Sequence, residues 1–596
     1  MHSKAEIYFT QQRELFEKEL KSLKRKLTNI ALLRLAVFAT GLMFTVYLVW
    51  QYNSYYLLTS LPFIAAFLVL LKKNEVLLFR KNYALNVIKI CDQELEALSG
   101  NYQSFDGGNE FKNAEHPYSS DLDIFGEHSI FCMLNRTVSF IGKIFLADML
   151  QSKGSKSEIL KRQQTIQELH SNSELQMDFR AKGMMLKNNK DEVEEILNWT
   201  KQTDVFTKKK TFRLVLIIFP AITLTLLAGS FFFFPVEFFL VSFISQLLFT
   251  GMFLRKINFL HNIVSRKHNM LIHFSSLFEI IESNNFISPG LTELKSSCFN
   301  NQRSATLQIN RFSNLIRLFD NRLNMLAALL LNGLFLWDLQ LCIKSEKWKE
   351  QNKEVIEKWF KALAEFDAFI SLSNYVFGNP DYVLPEIEDK ELIFKFKDIS
   401  HPLIPLKERV SNSFLLQGEG NIAIVTGSNM AGKSTFLRTI GVNMVLASAG
   451  LTVCASEMLF NPVQLYSSMR IGDDLSNRES TFYAELKRLK HILEAVDKHV
   501  VFILLDEILK GTNSADKLTG SKALLRQLAS SSSLAVIATH DLALGEMNAE
   551  FPEKINNYNF EVEIVNNEFY FDYKLKNGIC KIMNATELMK KMGVKV

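Results

Sequence analysis

The C-terminal fold of this 596-residue chain is decided by one stretch, Gly427-Ser428-Asn429-Met430-Ala431-Gly432-Lys433-Ser434-Thr435. An apolar run at 421–426 precedes it and predicts a buried strand, and a helical pattern follows it. The stretch fits the pattern GxxxxGK[ST] between a strand and a helix. Glycines let a backbone wrap phosphates, while amide groups and the helix N-terminus supply positive potential. We therefore predict a phosphate-binding loop in which all of these residues contact a nucleotide.

Two residues of this loop have specific predicted roles. Lys433 would reach the β- and γ-phosphates of ATP, and Ser434 would ligate Mg²⁺. The apolar run 500–505 leads into Asp506, which would hold the same ion through water. The sequence thus predicts ATP and Mg²⁺ as cofactors, with Ser434 and Asp506 as the metal ligands.

The catalytic residues are predicted at the ends of two apolar runs. Glu507 directly follows Asp506 and would act as the base that orients the attacking water. A further run at 534–538 leads to His540, which would lie at the carboxyl edge of the sheet and sense the γ-phosphate. Together with Lys433, these residues predict a P-loop ATPase that depends on Mg²⁺.

Charge-free segments predict two transmembrane helical hairpins. Residues 35–71 contain no Asp, Glu, Lys or Arg, which is enough for two helices of about 17–20 residues. Residues 214–254 are interrupted only by Glu237. The outer ends of both hairpins carry the clusters 24–26, 72–73, 208–210 and 255–256 of Lys and Arg. By the positive-inside rule, we expect four helices in the inner (cytoplasmic) membrane, with the N-terminus and the ATPase domain in the cytoplasm.

Composition excludes several classes of protein. The chain has 68 Lys+Arg against 63 Asp+Glu, and its net charge of +5 is too small for an overall electrostatic attraction to nucleic acid. Its six cysteines are scattered and have no CxxC spacing, which predicts neither a disulfide framework nor a zinc site. Any nucleic-acid surface would have to be local.

The motifs together resemble the MutS DNA mismatch-repair ATPases, which are related to ABC-type ATPases. The segments that carry the resemblance are the loop 426–436, then 470–475 with 480–486, then 504–516, and finally 538–540. Upstream, 401–403 and Asn412 look like the start of that family's ATPase domain, and 123–169 is similar to its helical core.

The resemblance implies an ATPase that works as a dimer. Ser514 matches the residue that family members offer to the γ-phosphate bound by the partner subunit, so two subunits would build two composite sites. Ala431 stands where a glycine is usual, and Lys510 replaces an arginine of the family pattern. Because lysine keeps the charge but lacks the guanidinium fork, the contact across the dimer is the weakest part of the likeness.

The resemblance also implies DNA binding, but the family's mismatch-reading domain is missing from its expected place. Residues 1–120 are instead a charged helix, a hairpin and a loop. The short pattern Phe125-Gly126-Glu127 matches the family's wedge, yet it opens the helical core, so we interpret it as coincidence. The second hairpin falls near where a DNA clamp would interrupt that core.

These features predict an α/β P-loop domain of ABC type at the C-terminus, a helical core and lever region, and two membrane hairpins. The predicted segments are an amphipathic helix (1–30), hairpin 1 (31–72), a helix and linker loop (73–120), the first core part (121–212), hairpin 2 (213–255), the second core and lever part (256–384) and the ATPase domain (385–596).

Three functions remain open at this stage. The first is a membrane-anchored MutS-type ATPase, a homodimer that acts on DNA. The second is a nucleotide-switched membrane scaffold with an unknown protein partner and no DNA. The third, an ABC-type transport ATPase, is least favoured, because the only lookalike of its signature, 518–522, follows the Asp-Glu strand instead of preceding it.

Overall fold

The computed structural model describes residues 4–52, 54–186, 190–203, 206, 210–265, 267–300, 303–428, 431–470, 481–510, 512–565 and 568–580. Several sequence predictions lie outside these residues. They concern Asn429 and Met430 of the loop, most of the family-like segment 470–486, Gly511 and the last part of the predicted ATPase domain, 581–596.

The first two thirds of the chain are helical, as predicted. A short hairpin of two strands, β1 (Phe299–Asn300) and β2 (Arg303–Ser304), interrupts the helices. The helices are α1 (Lys4–Gln51), α2 (Ser60–Leu98), α3 (Ile130–Leu134), α4 (Phe140–Gln151), α5 (Lys156–His170), α6 (Ser173–Gly183), α7 (Lys190–Lys201), α8 (Lys210–Gly229), α9 (Val236–Met252), α10 (Leu254–Val264), α11 (His268–Ser283), α12 (Pro289–Ser297), α13 (Ala305–Asp320), α14 (Met325–Phe335), α15 (Trp337–Asn352) and α16 (Ile356–Gly378).

The first hairpin is longer than its charge-free part. Helices α1 and α2 pair along their lengths, and neither breaks at residue 30 or at residue 72. Those predicted limits therefore mark a change of composition and not of backbone structure. The charged ends of the pair pack on α6, where Asn86 Nδ2 donates a hydrogen bond of 2.9 Å to the carbonyl oxygen of Ala181.

The second hairpin is formed by α8 and α9, with the turn at 230–235. Within the predicted lever part, the chain bends by 80° between α14 and α15, and α14 packs on α8 and α9.

Within the described residues, α1 is long and apolar enough to cross a membrane by itself. The bent pairs α9 with α10 (67°) and α14 with α15 (80°) also qualify if each pair is counted as one span. Residues 214–229 of α8 form a shorter apolar helix. The four predicted spans therefore stay a prediction.

The C-terminal part is an α/β domain, as predicted. Its elements are β3 (Glu386–Ile387), β4 (Ile393–Ile399), β5 (Asn412–Gln417), β6 (Ile422–Gly427), α17 (Lys433–Ser448), β7 (Glu457–Phe460), β8 (Gln464–Ser468), α18 (Thr481–Val496), β9 (Val501–Asp506), α19 (Ser514–Ala529), β10 (Leu534–Thr539), β11 (Ile555–Val565) and β12 (Glu568–Asn577).

These strands build two sheets. The larger has the order β12-β11-β6-β10-β9-β8 and is parallel except for β12. The smaller, β3-β7-β4-β5, was not predicted and is mostly antiparallel. Strands β6, β9 and β10 are apolar up to their C-terminal ends, as is usual for strands of a parallel sheet that is covered on both faces.

The polar stretch after α2 is packed rather than a free linker. Phe125 is 6% exposed and lies against the rings of Phe111 and Phe131. A side chain held in this way cannot wedge between bases, which agrees with the interpretation of Phe125-Gly126-Glu127 as coincidence.

Candidate nucleotide site

The predicted site residues come together at one edge of the larger sheet. Strand β10 lies between β6 and β9, with Thr539 beside Thr426 and Ala538 beside Asp506. Because the three strands are parallel, their carboxyl ends meet at the same edge, where α/β folds bind ligands.

Lys433 is held inside the loop that precedes it. Its ammonium group donates hydrogen bonds of 2.8 Å to the carbonyl oxygens of Gly427 and Ser428, and the residue is 5% exposed. Burial lowers the pKa of Lys433, although the carboxylates of Glu507 and Asp506 act in the opposite direction. A phosphate oxygen arriving here would give this cation a charged partner in place of neutral carbonyls.

Gly432 begins the helix that carries the loop's lysine and serine. It has φ 102° and precedes α17, so the free amide groups of a 16-residue helix point toward the loop. A side chain at this position would be strained, and its Cβ would lie 3.1 Å from the ring of Tyr573. Ala431 is 2% exposed, so its small side chain fits within the loop.

The predicted metal ligands are adjacent. The hydroxyl of Ser434 donates a hydrogen bond of 2.5 Å to the Asp506 carboxylate. Mg²⁺ prefers such oxygen ligands and is usually bound by one or two protein groups together with substrate phosphates. Among the described residues no cluster of three or more His, Cys, Asp and Glu is suited to a metal. The pair therefore fits an ion that arrives with a nucleotide.

Glu507 lies between two basic side chains. Its carboxylate is 3.2 Å from Nδ1 of His540 and 3.7 Å from Nζ of Lys510. Burial alone would raise the pKa of Glu507, but Lys510, His540 and Lys433 outweigh it and hold that pKa below its ordinary value. Glu507 is therefore deprotonated near neutral pH, as a general base requires.

The backbone around Glu507 is held by Glu485, a residue for which no role was predicted. Glu507 has φ 56°, and Leu509 has φ 58°. The carboxylate of Glu485, 4% exposed, accepts hydrogen bonds from the amides of Leu509 (2.6 Å) and Lys510 (3.0 Å). Glu485 lies in the family-like segment 480–486, so its motif was noted although its contact was not.

These residues line a cavity of about 650 Å³, within the usual range for small-molecule sites. Lys433, Ser434, Asp506 and Glu507 are among its polar lining residues. The apolar and aromatic lining was not predicted as part of the site, and it comes from His401, Leu403, Pro405, Phe560 and Tyr573. The family-like residues 401–403 and Asn412 were the one signal in the sequence for this part of the lining. Asn412 Nδ2 donates a hydrogen bond of 3.0 Å to the carbonyl oxygen of Tyr573.

His401 gives the protein a testable dependence on pH. Burial, Arg438 and Arg409 lower the pKa of His401 from 6.5 to about 4. Between pH 4 and 6.5 the imidazole of His401 binds a proton more readily in the unfolded chain than in the folded protein. The contribution of neutral His401 to the free energy of unfolding is therefore complete above pH 6.5 and is lost as pH falls toward 4. We expect His401→Gln to remove about 3 kcal/mol of that acid-dependent loss, measured by thermal unfolding across this range. Parallel pH profiles of the variant and the natural chain would contradict the assignment.

The residue predicted to act across a dimer lies at the start of another helix. Ser514 is the first residue of α19, and Asn513 caps this helix by accepting a hydrogen bond of 2.9 Å from the Asp516 amide. A capped helix N-terminus is a suitable place for an anionic group.

The part of the chain that contains this site is similar to known proteins. The family model described as MutS domain V matches residues 423–594, which include the loop, Asp506, Glu507 and His540. A DNA mismatch repair protein MutS of Lachnoclostridium phytofermentans is 32% identical over 248 residues, which is 40% of this chain and 26% of that protein. These matches support MutS family membership for the part of the chain that contains the nucleotide site.

Two further MutS relatives show how far the likeness extends. A DNA mismatch repair protein MutS of Thermotoga maritima is 27% identical over 326 residues, 54% of this chain and 39% of that protein. MutS protein homolog 4 of Homo sapiens is 33% identical over 216 residues, 34% of this chain and 22% of that protein. The 326-residue match is longer than the stretch from Pro385 to Val596, so MutS similarity also includes part of the helical region. The chain nevertheless spans only about a quarter to two fifths of these bacterial relatives.

Proposed function

We propose that this protein is a membrane-anchored ATPase of the MutS family that couples Mg²⁺-dependent ATP hydrolysis to movement of its helical region. One observation carries the proposal. Lys433, the Ser434–Asp506 pair and Glu507 line a single cavity, and His540 contacts Glu507 beside it. This combination supplies the groups that phosphoryl transfer to water requires.

Each side chain has a defined task on bound ATP. Lys433 would exchange its bonds to the loop carbonyls for the β- and γ-phosphates, and Ser434 and Asp506 would hold Mg²⁺. The bound ion would neutralise charge that develops on the phosphates. Glu507 accepts a hydrogen bond from the attacking water and orients it toward the γ-phosphate, and His540 fixes the carboxylate of Glu507.

We further propose a homodimer with composite sites. The N-terminus of α19, with Ser514, would face the γ-phosphate bound by the partner subunit and complete that site only when ATP is present. Support comes from the cap at Asn513 and from the place of Ser514 in the MutS motif. ATP would then close the dimer, and hydrolysis would release it.

The membrane part of the proposal is supported by an inverted distribution of polarity. In α8 and α9 the buried residues include Thr223 and Gln246, whereas Ile217, Phe238 and Leu248 are more than half exposed. Gln246 donates a hydrogen bond to Thr223, whose hydroxyl lies 2.6 Å from that of Ser242. Polar groups that pair between helices, with large apolar side chains facing outward, are typical of helices in lipid.

The first hairpin has the same inverted distribution. Its small or polar residues Gly41 and Thr45 are buried, while Phe38, Met43 and Trp50 are 58%, 71% and 84% exposed. Water would penalise so much apolar surface at roughly 25 cal/mol per Å². A bilayer removes that penalty, so we propose that both hairpins anchor the protein, with the ATPase domain in the cytoplasm.

Membrane anchoring predicts the behaviour of the full chain on fractionation. It should sediment with membranes and stay there through washes with high salt and with alkaline carbonate, because apolar insertion does not depend on ionic contacts. Only detergent should release it. Recovery of the protein in the salt or carbonate wash would contradict integral anchoring and leave a peripheral association.

A packed loop offers a route from the nucleotide site to the first hairpin. Arg488 on α18 donates to the carbonyl oxygens of His116 (2.7 Å) and Pro117 (2.6 Å). Asp121 accepts hydrogen bonds from the Ser467 hydroxyl (2.7 Å) and the Arg470 amide (2.9 Å). Since this loop follows α2 directly, a shift of α18 would be transmitted to the helix that leads from the membrane.

DNA is proposed as the target because relatives bear the name DNA mismatch repair protein. We expect duplex DNA to raise the ATPase rate of the detergent-purified chain, with affinity that falls steeply as salt increases. The measurement compares mismatched duplex, homoduplex and no DNA. Equal rates in all three at low salt would contradict a DNA target and favour the nucleotide-switched scaffold.

A further inference from the structure

Helix α14 exposes leucine side chains that a helix in a protein core would bury. Residues 323–337 contain no Asp, Glu, Lys or Arg. Met325, Leu326 and Leu330 are 83%, 74% and 53% exposed, and Leu329 is 45% exposed. An uncharged run of this kind in a lever region predicts burial, so its exposed face requires an explanation.

The helix is fixed against the second hairpin. It packs on both α8 and α9, and an added Cβ at Gly333 would collide with the ring of Phe243. The exposed leucines therefore lie on a helix that packs against this hairpin, whose own exposed apolar side chains are proposed to contact lipid.

Both ends of α14 are tied down by polar contacts. Arg322 precedes the helix and Asp338 follows it, and Arg322 Nε lies 3.0 Å from the Asp338 carboxylate. Arg322 also donates a hydrogen bond of 2.8 Å to Asn258 on α10. Asn324 caps the helix by accepting from the amides of Leu326 and Ala327. The charged side chains of Arg322 and Asp338 on either side of α14 are thus paired with each other, and the helix between them carries no charge.

The dimensions and the neighbouring charges favour insertion into one leaflet. Eleven residues of helix span about 16 Å, roughly half of the hydrocarbon core of a bilayer. Arg255 and Lys256 at the start of α10 are exposed, as suits groups that face lipid phosphates. At Leu336 (φ 50°) the chain bends by 80° between α14 and α15.

We propose that α14 is a third membrane-embedded element, which inserts its exposed leucines among the acyl chains of the cytoplasmic leaflet beside hairpin 2. The inference rests on the proposed membrane anchoring and goes beyond it. A lever helix in the bilayer would connect movement of the helical region with lipid directly, besides the two hairpins.

The test uses single introduced cysteines in the full chain, reconstituted into vesicles. The six native cysteines are buried, so an environment-sensitive fluorophore would label Leu326→Cys or Leu330→Cys selectively. Ile217→Cys reports hairpin 2, and Leu415→Cys on β5 of the ATPase domain reports water, since both positions are also exposed. Quenching is measured with lipids that carry nitroxides on their acyl chains.

We expect quenching at positions 326 and 330 within about two-fold of that at 217, and none at 415. Quenching at 217 without quenching at 326 and 330 would overturn the inference and leave the anchoring intact. Blue-shifted emission at 326 and 330 in that case would indicate cover by a second copy or another protein. Absence of quenching at 217 as well would overturn the anchoring and the inference together.

Discussion

Replacement of Glu507 by Gln should leave ATP binding intact and lower the rate of hydrolysis at least ~100-fold, the usual size of the loss of a positioned general base. Glutamine keeps the size of the side chain but cannot accept a proton. The carboxylate replaced is deprotonated at neutral pH because Lys510, His540 and Lys433 hold its pKa below the ordinary value despite burial. The loss should therefore appear in turnover and not in nucleotide affinity.

The experiment needs both readouts and a matched control. Binding of a fluorescent ATP analogue and release of phosphate are measured on the same preparation of the detergent-purified chain. Glu546→Gln removes a carboxylate from an exposed position beyond β10 and should change neither. Hydrolysis by Glu507→Gln within a few-fold of the natural rate would assign the base elsewhere, and lost binding would point to damage to the loop.

The second large effect is expected at a buried ion cluster that joins hairpin 1 to the helical core. Glu94 on α2 accepts hydrogen bonds from Arg136 Nε (2.8 Å) and from Arg180 on α6 (2.5 Å). All three side chains are about 5% exposed. Burial alone would raise the pKa of Glu94, but the two guanidinium groups outweigh it and hold that pKa below its ordinary value.

We expect Glu94→Ala to destabilise the protein by about 3–5 kcal/mol, because two buried guanidinium groups would lose their shared counter-charge. Denaturant unfolding of the detergent-purified chain measures this change. Glu96→Ala, two residues away and exposed, is the control and should have little effect. Equal stabilities of the two variants would show that water or other groups satisfy the arginines, and the junction would then not depend on Glu94.

Much of the site could be predicted because its chemistry is local in sequence. Strands β6, β9 and β10 are short apolar runs, and each ends at a polar residue that the parallel sheet brings to a common edge. The loop and the carboxylates Asp506 and Glu507 therefore followed from order and spacing. The place of His540 at this edge followed in the same way, but its contact with Glu507 did not.

The rest of the cavity depends on contacts between distant segments. Tyr573 reaches Gly432 from the final hairpin, and His401 lies on the connection between β4 and β5. No spacing in the sequence joins these residues. The smaller sheet was missed although Phe394 and Phe396 alternate with Lys395 and Lys397, because strands as short as β3 and β7 give no periodic pattern.

Helix α14 illustrates a limit of a different kind. An uncharged run of leucine and alanine has the same composition in a protein core and in lipid. Only the fold distinguishes these environments, by turning the chain at Leu336 and leaving Leu326 and Leu330 exposed beside hairpin 2. For this reason the sequence places this segment in the helical core and lever part, 256–384.

The central claim is that one membrane-held chain hydrolyses ATP at the cavity around Lys433. Its most direct test is the phosphate-release rate of the protein recovered by detergent from carbonate-washed membranes and reconstituted in lipid, with Mg²⁺ and with a chelator, beside Lys433→Ala. We predict turnover that requires Mg²⁺ and is absent in the variant. Turnover that persists in Lys433→Ala or without Mg²⁺, or none in the natural protein, would contradict the account.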